Sequence, residues 1–272
     1  MIDVIRQQFS DGMPLHMKLN KTREFLQVLC LKIMSDRQIF DRVAFLGGTS
    51  LRMLFQLRRF SEDLDFSVLN KGKFEAAGLA EQFMKEFKLY GFACEPKVSS
   101  RSAVQSIMLK FPDLLKDLGL SPMASEKLAI KWDVDTNPPE GGACASGIIS
   151  AYFTFRVVHY DLPSLFAGKL HACFFRTYAK GRDWYDFIWY VARKVRPNLA
   201  LFKNAVRQTE GKEIEVRESG FADFLINRVG SVDFNAMKRD VERFIEDPAE
   251  LALFDRNAII KTILNSYKSQ VS

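Results

Sequence analysis

VAFLGGTSLRMLFQLRRFSEDLDFSVL, Val43 to Leu69, decides the fold. Its last third alternates: Leu64, Phe66 and Val68 point to one face and Asp63, Asp65 and Ser67 to the other, because successive strand side chains take opposite sides. The two acids therefore share a face about 6 to 7 Å apart, where ionised carboxylates repel unless water or a cation intervenes. A divalent metal suits them, and a wet polar face on a half-exposed strand is the ordinary alternative. Upstream, Val43 to Leu46 has the pattern of a short buried strand ended by Gly47-Gly48. Thr49 or Ser50 is placed to cap a helix whose apolar stripe is Leu51, Leu54 and Phe55. The order strand, glycine turn, helix, acidic strand brings bare backbone and a helix N-terminus, which suit a phosphate, to the same sheet edge as the acids. Arg59 and Ser61 can add charge-assisted and hydroxyl contacts to the same phosphates.

The 272 residues, 47% hydrophobic and 26% charged, are enough for one large domain or two modest ones with a real core. No apolar run approaches the roughly 18 residues of a membrane span, and the start MIDVIRQQFSDG lacks the regions of a signal peptide, so the expectation is a cytoplasmic chain with no membrane contact. Cys30, Cys94, Cys144 and Cys173 are scattered without C-x-x-C spacing and are expected to be reduced thiols. A net charge of +6 permits a polyanionic partner without establishing one.

Periodicity predicts helices at Lys21 to Asp36 and Gly72 to Tyr90, and strands at Phe92 to Val98, Ala103 to Phe111, Lys127 to Val134 and Ile149 to His159. From Pro163 onward the pattern is helical, with helices expected at 163–178, 182–194, 198–208, 221–228, 234–246 and 248–267. The fold class is therefore α+β in two lobes, a mixed β-sheet lobe over residues 1–162 and a helical lobe over 163–272.

Two further segments carry chemistry. In KLAIKWDVD, Lys127 to Asp135, the acids Asp133 and Asp135 again share one face, opposite Leu128, Ile130, Trp132 and Val134. In DLPSLFAGKLHACFFR, Pro163 opens a helix and Lys169 falls inside the apolar stripe of Leu165, Phe166, Leu170 and Cys173, where it must snorkel or meet an anion. Asp183 and Asp186 lie three apart on a helix that is otherwise apolar nearly all round, and buried acids there need a partner such as Arg176 or Arg182. The aromatics Phe174, Phe175, Trp184, Tyr185 and Trp189 suit either RNA stacking or a core.

The run Gly47-Gly48-Thr49-Ser50-Leu51 with Arg59-Phe60-Ser61-Glu62-Asp63-Leu64-Asp65-Phe66 resembles the polymerase-β-type nucleotidyltransferase signature in the form used by the AbiEii/AbiGii toxin family. The resemblance spans roughly Val43 to Val191. It implies that the Gly47-Gly48 turn, with Thr49 and Ser50, holds nucleotide phosphates and that Asp63 and Asp65 carry Mg²⁺ or Mn²⁺, with Asp133 or Asp135 as a third metal ligand. It implies that Lys169 faces the phosphates, and that Asp183, in the R-D-x-x-D pattern of Arg182, Asp183 and Asp186, is an active-site acid completing the site across the lobe interface, with Asp186 as structural support. The activity implied is transfer of a nucleotide from a nucleoside triphosphate to an acceptor, with RNA, and the 3′ end of transfer RNA in particular, as that acceptor, beside a cognate antitoxin. A metal-dependent nuclease, a kinase-like phosphotransferase and an inactive nucleotide-binding module use overlapping parts and are the rivals.

Overall fold

Residues 1–70, 74–101, 103–123 and 125–268 are described by a computed structural model. Helices α1 (Ile2–Arg6) and α2 (Leu15–Asp36) come first. Helix α2 begins six residues before the expected Lys21, because its first turn is largely exposed and apolar periodicity starts only beyond it. The chain continues through β1 (Val43–Leu46), α3 (Gly47–Phe55), β2 (Asp63–Val68), α4 (Ala76–Leu89), β3 (Glu95–Arg101), β4 (Val104–Phe111), a short α5 (Leu114–Asp117), β5 (Leu128–Asp135), β6 (Cys144–Ser150) and β7 (Thr154–Tyr160). The expected helix from Gly72 starts at Ala76, and Gly72 and Lys73 lie outside the described residues. The single strand expected over Ile149 to His159 is instead β6 and β7, broken by bends at Ala151 to Phe153.

The seven strands form one mixed sheet in the order β3-β4-β5-β2-β1-β7-β6. Strand β2 is central, antiparallel to β1 and parallel to β5, with Leu46 opposite Asp65 and Asp65 opposite Asp133. An aromatic row fixes this register from the buried face: Phe45 stacks on Phe66 at 5.3 Å, Phe66 on Trp132 at 5.0 Å, and Trp132 on Phe74 at 5.6 Å. Each such pair contributes about 0.5–1.5 kcal/mol beyond its burial. Helix α2 covers the row and its Met34 sulfur accepts the buried Trp132 indole N–H at 3.4 Å. A slip of one residue would turn Phe66 outward and Asp65 into this core, so the packing that holds the sheet also aims the acids.

The remaining helices are α6 (Leu162–Phe175), α7 (Gly181–Ala192), α8 (Leu199–Glu210), α9 (Phe221–Val229), α10 (Phe234–Val241) and α11 (Arg256–Tyr267), with 3-10 turns at Glu242–Phe244 and Pro248–Leu253. Helix α6 starts at Leu162, where Asp161 accepts the Ser164 N–H at 2.9 Å, and Pro163 occupies the first turn rather than opening it. The chain divides into two compact units: residues 1–56, 60–138 and 145–159 form the first, and 57–59, 139–144 and 160–272 the second. Against the 1–162 and 163–272 division expected from sequence, residues 57–59, 139–144 and 160–162 group with the helices. No described helix is long and apolar enough to cross a membrane.

Candidate active site

In the first unit the site is assembled by the edge-to-edge register of β1, β2 and β5. Leu46, the residue before the glycine turn, pairs with Asp65, so Gly47 lies against that carboxylate. Gly47 has φ +79°, and a Cβ there would overlap Asp65 Oδ2 and sit 3.0 Å from its Cγ. Only glycine suits both the backbone and the contact. The helix starts at Gly47 itself, with Leu46 as its cap residue, and neither Thr49 nor Ser50 caps it. Both are fully buried: the Thr49 hydroxyl donates to the Asp63 carbonyl and Ser50 Oγ donates to the Gly47 carbonyl at 2.9 Å. What these two expected nucleotide contacts provide is therefore an anchored helix start, with Thr49 pinning α3 to the first residue of the acidic strand. The Ser61 carbonyl accepts from the buried Gln27 amide at 3.1 Å, which fixes the chain entering β2.

Asp63, Asp65, Asp133 and Asp135 share one sheet face, but only Asp133 lies directly beside Asp65. Asp135 pairs with Ser67 further along; burial raises its carboxyl above the usual range, against the Asn137 N–H that its Oδ1 accepts at 2.9 Å. Asp133 Oδ2 accepts Lys131 Nζ at 2.5 Å, and Asp133 Oδ1 is buried without a partner among the described residues. Lys131 was not singled out by the motif, although its spacing puts it on the acidic face. Its hydrogen bond to Asp133, opposed by burial and assisted by the charges of Asp133, Asp63 and Asp65, holds its ammonium above the usual lysine range. Among the described residues, no group of three or more His, Cys, Asp or Glu side chains is already arranged around a metal position. The donors nevertheless fit a divalent ion: they are hard carboxylate oxygens, one of them is an orphaned buried acceptor, and a side-chain cation already stands among them.

The second unit holds a charged cluster. Lys169 on α6 places Nζ 2.7 Å from Asp183 Oδ1 and 2.8 Å from Asp186 Oδ2, both on α7. Arg176, just after α6, reaches Asp183 Oδ2 at 2.5 Å. Arg59 does not remain available for phosphates as the sequence suggested: 2% exposed, it grips Asp186 through two hydrogen bonds of 2.6 Å. That fork is the strong bidentate geometry, formed across 127 residues of sequence. The arginine that meets Asp186 is thus Arg59 rather than Arg176 or Arg182. Burial alone would raise the Asp183 carboxyl, but Lys169, Arg176 and Arg59 outweigh it and hold the group below its usual value. Burial would likewise lower Lys169, yet Asp183 and Asp186 prevail and keep it a cation.

The aromatics singled out in this unit pack largely on one another. Trp184 and Tyr185 are buried, Phe174 meets Trp184 at 6.0 Å and Phe224 at 5.7 Å, and Phe175 meets Phe202 at 6.2 Å. Trp189 is half-buried and lies under Arg193 at 4.4 Å. His171 on α6 meets Thr209 on α8 at 2.7 Å.

A mixed sheet whose central strands join a glycine turn to paired acids, followed by a helical segment, has the form of a nucleotidyltransferase fold. The chain belongs to the nucleotidyl transferase AbiEii toxin family of type IV toxin-antitoxin systems, which matches residues 29–256. The structure is similar to JHP933 from Helicobacter pylori, with a TM-score of 0.54 and 19% identity over 92% of this chain and 94% of that one. It is also similar to a candidate nucleotidyltransferase from H. pylori, with a TM-score of 0.51 and 18% identity over 97% of this chain and all of that one. At such identities these two likenesses concern the fold. No curated protein matches the chain.

Proposed function

We propose that the chain is a metal-dependent nucleotidyltransferase that moves a nucleoside monophosphate from a nucleoside triphosphate to RNA, with the 3′ end of transfer RNA as the acceptor, as the toxin opposite a cognate antitoxin. The observation that carries this reading is the seat of Gly47 against Asp65: a bare turn at a helix start and a paired acid meet at adjacent strand positions, as phosphate and metal require. Asp63 and Asp65 would hold Mg²⁺ or Mn²⁺, with Asp133 beside them as the third ligand. When bound, the metal neutralises triphosphate charge and stabilises the departing pyrophosphate. The Gly47-Gly48 backbone cradles the phosphates, and Lys169 contributes a fixed positive charge to them. The attacking hydroxyl would be activated by the metal or by an acid such as Asp183, which its cationic neighbours keep ionised. The new bond runs from the acceptor oxygen to the α-phosphorus, the bond from that phosphorus to the β-phosphate oxygen breaks, and pyrophosphate leaves. Free nucleotides and RNA place this chemistry in the cytoplasm.

The test incubates the protein with Mg²⁺, total cellular RNA and each of the four α-³²P nucleoside triphosphates, beside a folded Asp65→Ala variant. One discrete labelled RNA, formed from one nucleotide and lost in the variant, is the expected result. Cleaved RNA without added nucleotide would favour the nuclease, transfer of γ label the phosphotransferase, and nucleotide binding without turnover the inactive module. A folded Asp65→Ala protein with full activity would overturn the reading.

A further inference from the structure

Lys131 faces the acids from β5. It stands opposite Asp63 across the parallel β2 and β5 pair, two residues before Asp133, and its Nζ lies 2.5 Å from Asp133 Oδ2. The other oxygen, Asp133 Oδ1, is buried and has no partner among the described residues. A lysine that merely satisfied Asp133 could sit on any exposed neighbour; this one occupies the strand position where its charge also falls on Asp63 and Asp65. The three carboxylates occupy neighbouring positions on strands about 4.8 Å apart, and without a cation among them they would repel. The Lys131 side chain is 44% exposed, so its ammonium can move to water without disturbing the packed face beneath.

We propose that Lys131 is an internal counter-ion of the metal position: its ammonium, paired with Asp133 Oδ2, competes with a divalent cation for the charge of that carboxylate. This rests on the assignment of Asp63 and Asp65 as metal ligands. A tethered monovalent ammonium competes at high effective concentration yet yields to a divalent ion that can gather three carboxylates at once. Lysine suits the task better than arginine, because one compact charge on a flexible stem leaves as a unit whereas a guanidinium fork holds a carboxylate at two points. Free metal is thereby held off weakly, and the ion that arrives must bring enough charge to open the pair.

The test is direct Mn²⁺ binding, without nucleotide, by calorimetry and by loss of the free Mn²⁺ paramagnetic signal, on the wild type, Lys131→Met, Asp133→Asn and the double variant. Lys131→Met should bind Mn²⁺ about fivefold more tightly than wild type, the scale of a partly exposed ion pair. In the Asp133→Asn background the same substitution should gain less than about twofold, since the contested carboxylate is gone. Lys131→Gln serves in the same comparison if the methionine variant does not fold by far-ultraviolet circular dichroism. Unchanged or weaker Mn²⁺ binding on loss of Lys131, or an equal gain in both backgrounds, overturns the counter-ion proposal while leaving the metal ligands standing. Absence of Mn²⁺ binding from every one of these proteins overturns the ligand assignment itself.

Discussion

Asp186→Asn tests the charged cluster most severely. Asp186 is fully buried and meets two cations, Arg59 at 2.6 Å through both guanidinium nitrogens and Lys169 at 2.8 Å. The cluster sets three cations, Arg59, Lys169 and Arg176, against two carboxylates, Asp183 and Asp186. The substitution is nearly isosteric, so it removes charge without opening a cavity, and leaves three cations sharing one acid. Breaking a buried pair in this way costs about 3–5 kcal/mol, because Arg59 stays desolvated without its counter-charge. Asn can still accept one hydrogen bond, which favours the lower half of that range. Set against about 5–15 kcal/mol of total stability, even 3 kcal/mol is a large share. With a urea slope of about 3 kcal/mol per molar or less, the midpoint should fall by at least about 1 M, followed by far-ultraviolet circular dichroism together with fluorescence of the buried Trp184. A double variant, Arg59→Met with Asp186→Leu, should recover at least half of the loss, since it removes one cation together with one acid and restores the original excess of a single positive charge. A single-variant loss under about 1 kcal/mol, or a double variant as unstable as the two singles summed, would refute the reasoning.

Two further outcomes follow from the same structure. Gly47→Ala should lower Mn²⁺ binding and nucleotide transfer about a hundredfold by forcing the Asp65 carboxylate aside, whereas Gly12→Ala, with a similar positive φ of +72° but open space around it, should show backbone strain alone of about 1–2 kcal/mol; equal effects of the two on transfer would sink the idea. Because the Asp183 carboxyl is held below its ordinary value of 3.8, its contribution to stability is complete above that value and is lost as pH falls through the lower, folded value. The urea-midpoint gap between wild type and Asp183→Asn should therefore be constant near neutrality and close below about pH 4; a gap that persists unchanged to pH 3 would show that the charge is not its cause.

Alternation made β2 and β5 legible because each buries one face and wets the other, and the glycine pair marked where β1 ends. The break between β6 and β7 was invisible for the opposite reason: Ala151 to Phe153 contains no glycine, proline or asparagine, and β6 lies at the end of the sheet, largely exposed, where small residues suffice. Lys169 declared itself by violating an apolar stripe, and its anions proved to be protein carboxylates on α7. Arg59 could not be assigned, since nothing local distinguishes a phosphate-binding arginine from one that pairs with an acid 127 residues away. Lys131 was legible in its spacing, but a lysine on a polar strand face carries no signal until the register sets it opposite Asp63.

The path of the chain between the two compact units also limits how this protein can be dissected. The backbone changes unit after Gln56, Arg59, Pro138, Cys144 and His159, so no single cut yields one unit whole. A fragment ending at His159 would carry Arg59 without Asp186, and a fragment beginning at Tyr160 would carry Asp186 without Arg59. The first would inherit a guanidinium made for burial with Asp186 gone, and the second a buried acid left with Lys169 alone. Deletion mapping by terminal truncation would therefore report misfolding in place of function, while single-residue changes outside this cluster leave the Arg59–Asp186 pair in one chain.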